Sequence, residues 1–404
     1  MISVEEARDR LLKLVRPLAA EQVALPDAFG RVLAEDVAAR RTQPPAALSA
    51  MDGYAVRAAD VAQVPARLKV VGAAPAGKSY DAPVRAGEAV RIFTGAPLPI
   101  GTDAIVIQED TERDGDTVVV KEGAPAGRHV RTAGLDFTAG AVELRAGRRL
   151  TARDIGLAAA MDRPWLMVRR RPRVAILSTG DEIVMPGDPI GPNQIVSSNS
   201  LALGAFVAAC GALPMQLGIA ADTADALKQA AEGARGADLL VTTGGASVGE
   251  HDLVKDVLGS DGLELDFWKI AMRPGKPLMV GRYRDAAMVG LPGNPVSTMV
   301  CALIFLKPAL DRLSGLDPAS TPPMTARLAI DLPENDRRED YLRSTLARAA
   351  DGELEAKPFA KQDSSMMSLL ARSDCLVIRP PHAPAAKKGE RVTIIPLGGG
   401  LLAL

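Results

Sequence analysis

Aromatic residues make up only 3% of this 404-residue sequence, and it holds just three cysteines and three histidines. The scarcity of aromatics argues against a surface that stacks nucleic-acid bases. Cys210, Cys301 and Cys375 are far apart, odd in number and free of any CxxC pair. They read as free thiols of a reducing cytosol. His129, His251 and His382 are equally scattered, so a structural zinc site is not expected. The formal net charge is −1, which supplies no field to attract nucleic acid or an anionic membrane. No apolar run approaches the ~20 residues that a membrane span needs. The N-terminal MISVEEARDRLLKLV has early acids and no apolar h-region, so it does not read as a signal peptide. A P-loop NTPase is excluded because GxxxxGK[ST] does not occur.

What is present is length and hydrophobic content, 47%, sufficient for several cores. VEEARDRLLKLV spaces its apolar residues by three and four and predicts an amphipathic helix. FGRVLAEDVAARRTQPP follows and stops at a proline pair. From Ser49 to about Gly140, short runs such as LKVVGAA, AVRIFTGA and DTVVVKE alternate with turn residues and predict an all-β module. LTARDIGLAAAMD returns to helix, with Thr151 as N-cap and Asp154 completing a capping box. The basic run RRRPR at Arg169–Arg173 is read as an interdomain hinge in preference to an anion site. From Val174, strands alternate with helices, which predicts a parallel α/β sheet whose ligands sit at the carboxyl ends of its strands. Beyond about Pro318 the pattern is β again, with Asp351-Gly352 marking a hairpin.

The chemically loaded stretches fall at those strand ends. TTGGASVGEHD (Thr242–Asp252) places Gly244 and Gly245 where backbone N–H groups can cradle an oxyanion, then adds carboxylates. Acids repel phosphate unless a cation lies between, and Mg²⁺ commonly takes one or two carboxylates plus phosphate oxygens. A capped helix after a tight turn explains the same stretch equally well. STGDEIV repeats the design with Asp181 and Glu182, and NQIVSSNS adds amides and hydroxyls that also serve as helix caps. RPGKP sets Arg273 and Lys276 around a turn suited to a tetrahedral oxyanion. LPGNPVS is a rigid loop offering Asn294 and Ser297. SAMDGYAV and IFTGAPLPIGTDAIV, with Asp52 and Thr94, are ordinary turn chemistry when taken singly.

Taken together, SAMDGYAV, FTGAPLPIGTDAIV, STGDEIV, TTGGASVGEHD, RPGKP and LPGNPVS, in that chain order, resemble the molybdopterin molybdenumtransferases, the bacterial counterparts of the gephyrin E domain. The resemblance spans nearly the whole chain. It implies a multidomain α/β plus β fold: a discontinuous, helical, elongated domain (1–43 and 141–171), an inserted β-rich domain (44–140), a parallel α/β molybdopterin-binding domain (172–318) and a C-terminal β-barrel (319–404). It implies a Mg²⁺-dependent transferase that takes adenylylated molybdopterin and molybdate, cleaves the adenylate, releases AMP and places molybdenum on the dithiolene sulfurs. The sulfur nucleophile belongs to the substrate, so no catalytic Cys or His is required. Residue by residue, the resemblance assigns Asp52 and Thr94 to the active cleft, facing the partner subunit's α/β domain in a homodimer. Glu182, Asp222 and Asp252 become candidates for metal and pterin handling, although Asp222 in AADTADALK reads otherwise as a helix cap. Asp136 matches a family acid. Gly244, Gly245 and Ser247 form the phosphate loop, while Lys269 and Lys276 contribute positive charge. Lys276, Ser297, Arg343 and Ser365 match a molybdate pocket between the α/β and C-terminal domains. Two positions depart from the family pattern: Leu48 stands where Asn is usual, and Arg273 replaces a Lys, putting a planar fork where a point charge was. The same resemblance implies a cytoplasmic enzyme that meets an upstream adenylyltransferase and recipient molybdoenzymes.

Two other readings share the α/β domain. An adenylyltransferase would need that domain alone, and the β-rich modules carrying Asp52 and Thr94 argue against it. A partner-binding scaffold would have no need to keep acids and lysines at strand ends.

Overall fold

The computed structural model describes residues 1–244, 253–318 and 324–398. The phosphate-loop candidates Gly245 and Ser247 and the acid Asp252 lie outside the described residues.

The inserted module is a six-stranded sheet in the order Ala104–Ile107, Gly53–Val56, Glu88–Ile92, Ala66–Ala74, Thr117–Val120, Thr111–Asp114. Side chains alternate across a strand. Tyr54 and Val56 therefore enter one apolar cluster with Leu68 and Val118, while Ala55 enters another with Val90 and Ile105. Burial on both faces explains the near-continuous apolar character of GYAV.

The elongated region contains less helix than its sequence predicts. Ala20–Ala24 pairs with Trp165–Arg169, and Val37–Ala38 pairs with Val142–Leu144. The backbone groups of FGRVLAEDVAA bond to partners more than a hundred residues away, including Leu33 N to Arg148 O at 3.0 Å. No local periodicity records such pairing. The helix Ala152–Ala160 forms where expected, with Thr151 N donating to Asp154 Oδ2 at 2.8 Å. The first helix, Val4–Leu14, packs Val4, Ala7 and Leu11 into the same core as Ile176 and Val241 of the α/β sheet and Leu310 of a helix that covers it.

The α/β sheet runs Leu213–Ala220, Arg173–Thr179, Leu239–Thr243, Ala286–Leu291, Pro277–Tyr283, Leu263–Lys269. The first four strands are parallel, as predicted. The last two extend the sheet by antiparallel pairing, so it is mixed. The hairpin turn at Arg284-Asp285 carries no Asn-Gly or Asp-Gly signal, which is why its reversal was not legible. The antiparallel pair still brings Lys269 and Lys276 to the end of the sheet where Thr179 and Thr243 finish. The apolar helix after LPGNP is not continuous α-helix. A π-turn, Ala302–Leu306, separates Pro295–Cys301 from Lys307–Leu313. Pro308 has no N–H for the Ile304 carbonyl, and the ladder adjusts ahead of it.

The C-terminal strands close into a five-stranded barrel, because Glu339–Arg348 pairs with both Leu354–Pro358 and Cys375–Arg379. Met272–Arg273 adds to it in parallel, tying the α/β sheet to the barrel. The basic run acts as a staple: Arg170 grips Asp238 with bonds of 2.8 and 2.6 Å, and Arg169 donates to Leu18 O at 3.0 Å. All three cysteines are free, with Cys301 and Cys375 buried. Among the described residues, no helix is long and apolar enough to cross a membrane.

Candidate active site

A cleft of about 460 Å³ opens at the carboxyl ends of the parallel strands. Its lining includes Thr179, Glu182, Asn199, Thr243, Gly244 and Gly293. The chain leaves Arg173–Thr179 for one neighbour, Leu213–Ala220, and later returns on the other side as Leu239–Thr243. That reversal of strand order is where α/β sheets bind ligands. Gly244 (φ +89°) sits at the tightest point: a Cβ there would lie 2.2 Å from the Thr179 carbonyl oxygen. The hydroxyls of Ser178 and Thr179 are buried without a hydrogen-bond partner among the described residues. Such groups cost stability unless a ligand or water satisfies them.

Acids gather on one flank of the cleft. The Asp222 N–H donates to Asp181 Oδ1 at 3.0 Å. Burial, then repulsion from Asp181 and Glu182, pushes the Asp222 carboxyl above its ordinary value. Among the described residues, no three His, Cys, Asp or Glu side chains converge as a ready metal site. The donor set therefore does not fit an all-protein cage. It fits Mg²⁺ held by one or two carboxylates and completed by phosphate oxygens, with the mutual repulsion of the acids favouring a cation.

A second constellation lies where the barrel meets the sheet. Arg343 is fully buried, at 0% exposure. Its Nη1 donates to Asp363 O at 2.8 Å and its Nε to Gln362 Oε1 at 3.2 Å, while Nη2 has no partner among the described residues. Burial pulls the guanidinium below its ordinary value. Ser365 holds the Asp363 carboxylate through its N–H (2.8 Å) and its hydroxyl (2.6 Å), so that acid is already engaged. Ser297 is buried in the helix Pro295–Cys301, which joins this region through Asn294 Nδ2 to Ser364 Oγ at 3.0 Å. Lys276 is half-buried and has no ion pair among the described residues.

Arg273 sits elsewhere. Its guanidinium chelates Asp340, with Nε to Oδ1 at 2.7 Å and a second bond from Nη2, and it also reaches Asp336. The planar fork that distinguishes Arg from Lys here serves a domain junction. Asp340 is only 4% exposed. Removing its partner leaves a buried carboxylate uncompensated, tempered by the partly exposed guanidinium. Arg273→Ala should therefore cost about 2 kcal/mol of stability. Oxyanion affinity should hold; a fall in affinity without a fall in melting temperature would contradict this placement.

Asp52 and Thr94 are hydrogen-bonded to each other, a contact that their sequence spacing does not indicate. Asp52 Oδ1 accepts from Thr94 N at 2.7 Å and from Thr94 Oγ1 at 2.8 Å, leaving Oδ2 without a hydrogen bond among the described residues. The Thr94 N–H, then its hydroxyl, holds the Asp52 carboxyl below the ordinary carboxylate range. A depressed value contributes stability above the unfolded-state pKa, and that contribution is lost as pH falls through the folded-state value. Thr94→Ala should move the Asp52 titration back up, as read by carboxyl NMR. An unmoved titration would remove Thr94 as the cause. Asp52, Thr94 and the exposed Asp136 are not among the residues lining the α/β cleft of their own chain. Lys269 is exposed at the end of its strand.

The sequence missed Asn199, Gln362 and Asp363. Asn199 was visible only as part of SSNS, and the other two only as neighbours of Ser365.

The fold and cleft define an α/β ligand-binding sheet embedded in a larger multidomain enzyme. Three family descriptions cover the chain: "MoeA N-terminal region (domain I and II)" at residues 2–161, "Probable molybdopterin binding domain" at 175–312, and "MoeA C-terminal region (domain IV)" at 325–397. A molybdopterin molybdenumtransferase of Nostoc sp. is 36% identical, over 98% of this chain and 94% of that protein. One from Haemophilus influenzae is 34% identical, over 98% of both. The crystal structure of the molybdopterin biosynthesis moea protein of Pyrococcus horikosii superposes with a TM-score of 0.84 at 30% identity, covering 99% of this chain and 100% of that one. The chain belongs to the molybdopterin molybdenumtransferase family, transferases of molybdenum cofactor biosynthesis.

Proposed function

We propose that this chain inserts molybdenum from molybdate into adenylylated molybdopterin, cleaving the adenylate and releasing AMP. The observation that carries the reading is Arg343. A buried guanidinium whose Nη2 has no partner among the described residues, offset only by the nearby Asp363 carboxylate that Ser365 holds, is costly in the unliganded protein. A tetrahedral dianion offsets that cost with charge-assisted hydrogen bonds. Ser297 supplies a hydroxyl and Lys276 a second cation for it, while Ser365 gives its hydroxyl proton to Asp363 and holds that carboxylate in place.

The cleft takes the pterin and its phosphates. Gly244 lets the backbone approach closely, and the orphaned hydroxyls of Ser178 and Thr179 gain acceptors. Lys269 and Lys276 offset phosphate charge from the same end of the sheet. Glu182 and Asp222, with Asp252, would hold Mg²⁺, which supplies electrostatic neutralisation of the anhydride. Asp52, kept ionised by Thr94, offers Oδ2 to orient the attacking oxygen. Because Asp52 does not line its own chain's cleft, it serves the cleft of a second copy, and the working unit is a homodimer.

The test is AMP release from adenylylated molybdopterin with Mg²⁺, with and without molybdate. Stimulation by molybdate, lost in Asp52→Ala, is expected. Release indifferent to molybdate would overturn the reading.

A further inference from the structure

The two subsites are linked by hydrogen bonds joined through two short stretches of backbone, Pro292–Asn294 and Asp363–Ser364. The run begins at Asn199, the first residue of the helix Asn199–Ala209, whose side-chain amide lines the cleft. Asn199 Nδ2 donates to Gly293 O at 2.7 Å and to Thr243 Oγ1 at 2.9 Å. A carbonyl only accepts, so the group facing Gly293 must be the NH₂. Thr243 Oγ1 in turn donates to Pro292 O at 3.2 Å. One amide thus ties the strand end before Gly244 to the loop Pro292–Pro295. The tie is close, since a Cβ on Gly293 would lie 3.7 Å from Gly244 Cα.

The far side of that loop grips the barrel. Asn294 Nδ2 donates to Ser364 Oγ at 3.0 Å, and Val296 N donates to Ser364 O at 3.1 Å. Ser364 adjoins Asp363, whose carbonyl accepts from Arg343 Nη1 at 2.8 Å. Thr298 Oγ1 lies 2.5 Å from Pro292 O and 3.0 Å from Asn294 O, which stiffens the loop between its two grips.

We propose that Asn199 is a positioning residue that fixes the separation between the cleft at Gly244 and the anion site at Arg343. The inference rests on the reading that these two subsites serve one reaction. Group transfer needs its reactants within a near-attack distance, and a displacement of about 1 Å costs about a hundredfold in rate. Asn199 touches neither the guanidinium nor its partners Gln362 and Asp363. Its loss therefore acts on turnover and spares anion affinity.

The test uses the full chain carrying Asn199→Asp, near-isosteric, which sets a carboxylate oxygen against the Gly293 carbonyl. Expected results are faster hydrogen–deuterium exchange in the peptide spanning 292–298, a kcat lowered about tenfold or more, and molybdate binding in the absence of pterin within about twofold of wild type. Ser364→Ala breaks the run at its other end and should give the same pattern. Because the links are in series, the double variant should be no slower than the worse single one. Unchanged exchange, wild-type kcat, or losses that multiply in the double variant would overturn the proposal. Should the wild type fail to respond to molybdate, the functional reading falls, and the exchange data still decide whether Asn199 holds the loop. Should Asn199→Asp fail to fold, Ser364→Ala carries both measurements.

Discussion

Exchanging Arg343 for Lys is expected to raise the KM for molybdate by about ten- to a hundredfold, the equivalent of one or two charge-assisted hydrogen bonds. The charge survives but the fork does not. Arg343 Nε and Nη1 are committed to Gln362 and Asp363, which leaves Nη2 aimed by the other two bonds. An ammonium group cannot hold both anchors and still present a third donor in a fixed direction. Stability should fall as well, because Gln362 Oε1 and Asp363 O lose a donor in a buried setting. The informative comparison is therefore KM against melting temperature at saturating pterin substrate. A variant with unchanged KM would show that the orphaned Nη2 does not meet the oxyanion.

Gly244→Ala should damage both the fold and the cleft. The residue stands at φ +89°, and the new Cβ would meet the Thr179 backbone oxygen at 2.2 Å. Left-handed strain contributes roughly 1–2 kcal/mol. The clash is with backbone at the end of a buried strand, so relief requires the two central strands to part. Together the cost is about 3 kcal/mol, a lowering of the melting transition by about 10 °C. Turnover should drop by about a hundredfold or more, because Thr179 and Thr243, which line the cleft, sit on the strands that must part. Gly293→Ala is the control: its Cβ would make only ordinary contact with Gly244 Cα, at 3.7 Å, and should be tolerated in stability. Equal losses in both variants would mean that the turn is crowded generally and that Gly244 is not special.

The α/β core was readable because each strand there is bounded by its own turn residues and followed by a helix of matching period. Its antiparallel extension was not, since Ala286–Leu291 is buried throughout, Pro277–Tyr283 is buried at five of its seven positions, and nothing in their composition encodes direction. The same limit applied to residues 20–39, whose partners are supplied by residues 142–169. Site chemistry divided in the same way. Family likeness assigned Asp52 and Thr94 to one cleft, but their direct hydrogen bonds were not legible, because 42 residues separate them. Arg273 appeared as a spare cation because its partner Asp340 is 67 residues away. Asn199 looked like one helix cap among several, since its role depends on two loops that only the sheet brings together.

The measurement that tests the account most directly is the fate of the metal. Purified protein would be incubated with adenylylated molybdopterin, Mg²⁺ and molybdate, and the pterin product separated and assayed for molybdenum alongside free AMP. The account predicts molybdenum on the pterin in step with the AMP released, with both lost in Arg343→Ala. AMP appearing while the pterin stays free of molybdenum would contradict it and leave a hydrolase of the adenylylated pterin in its place.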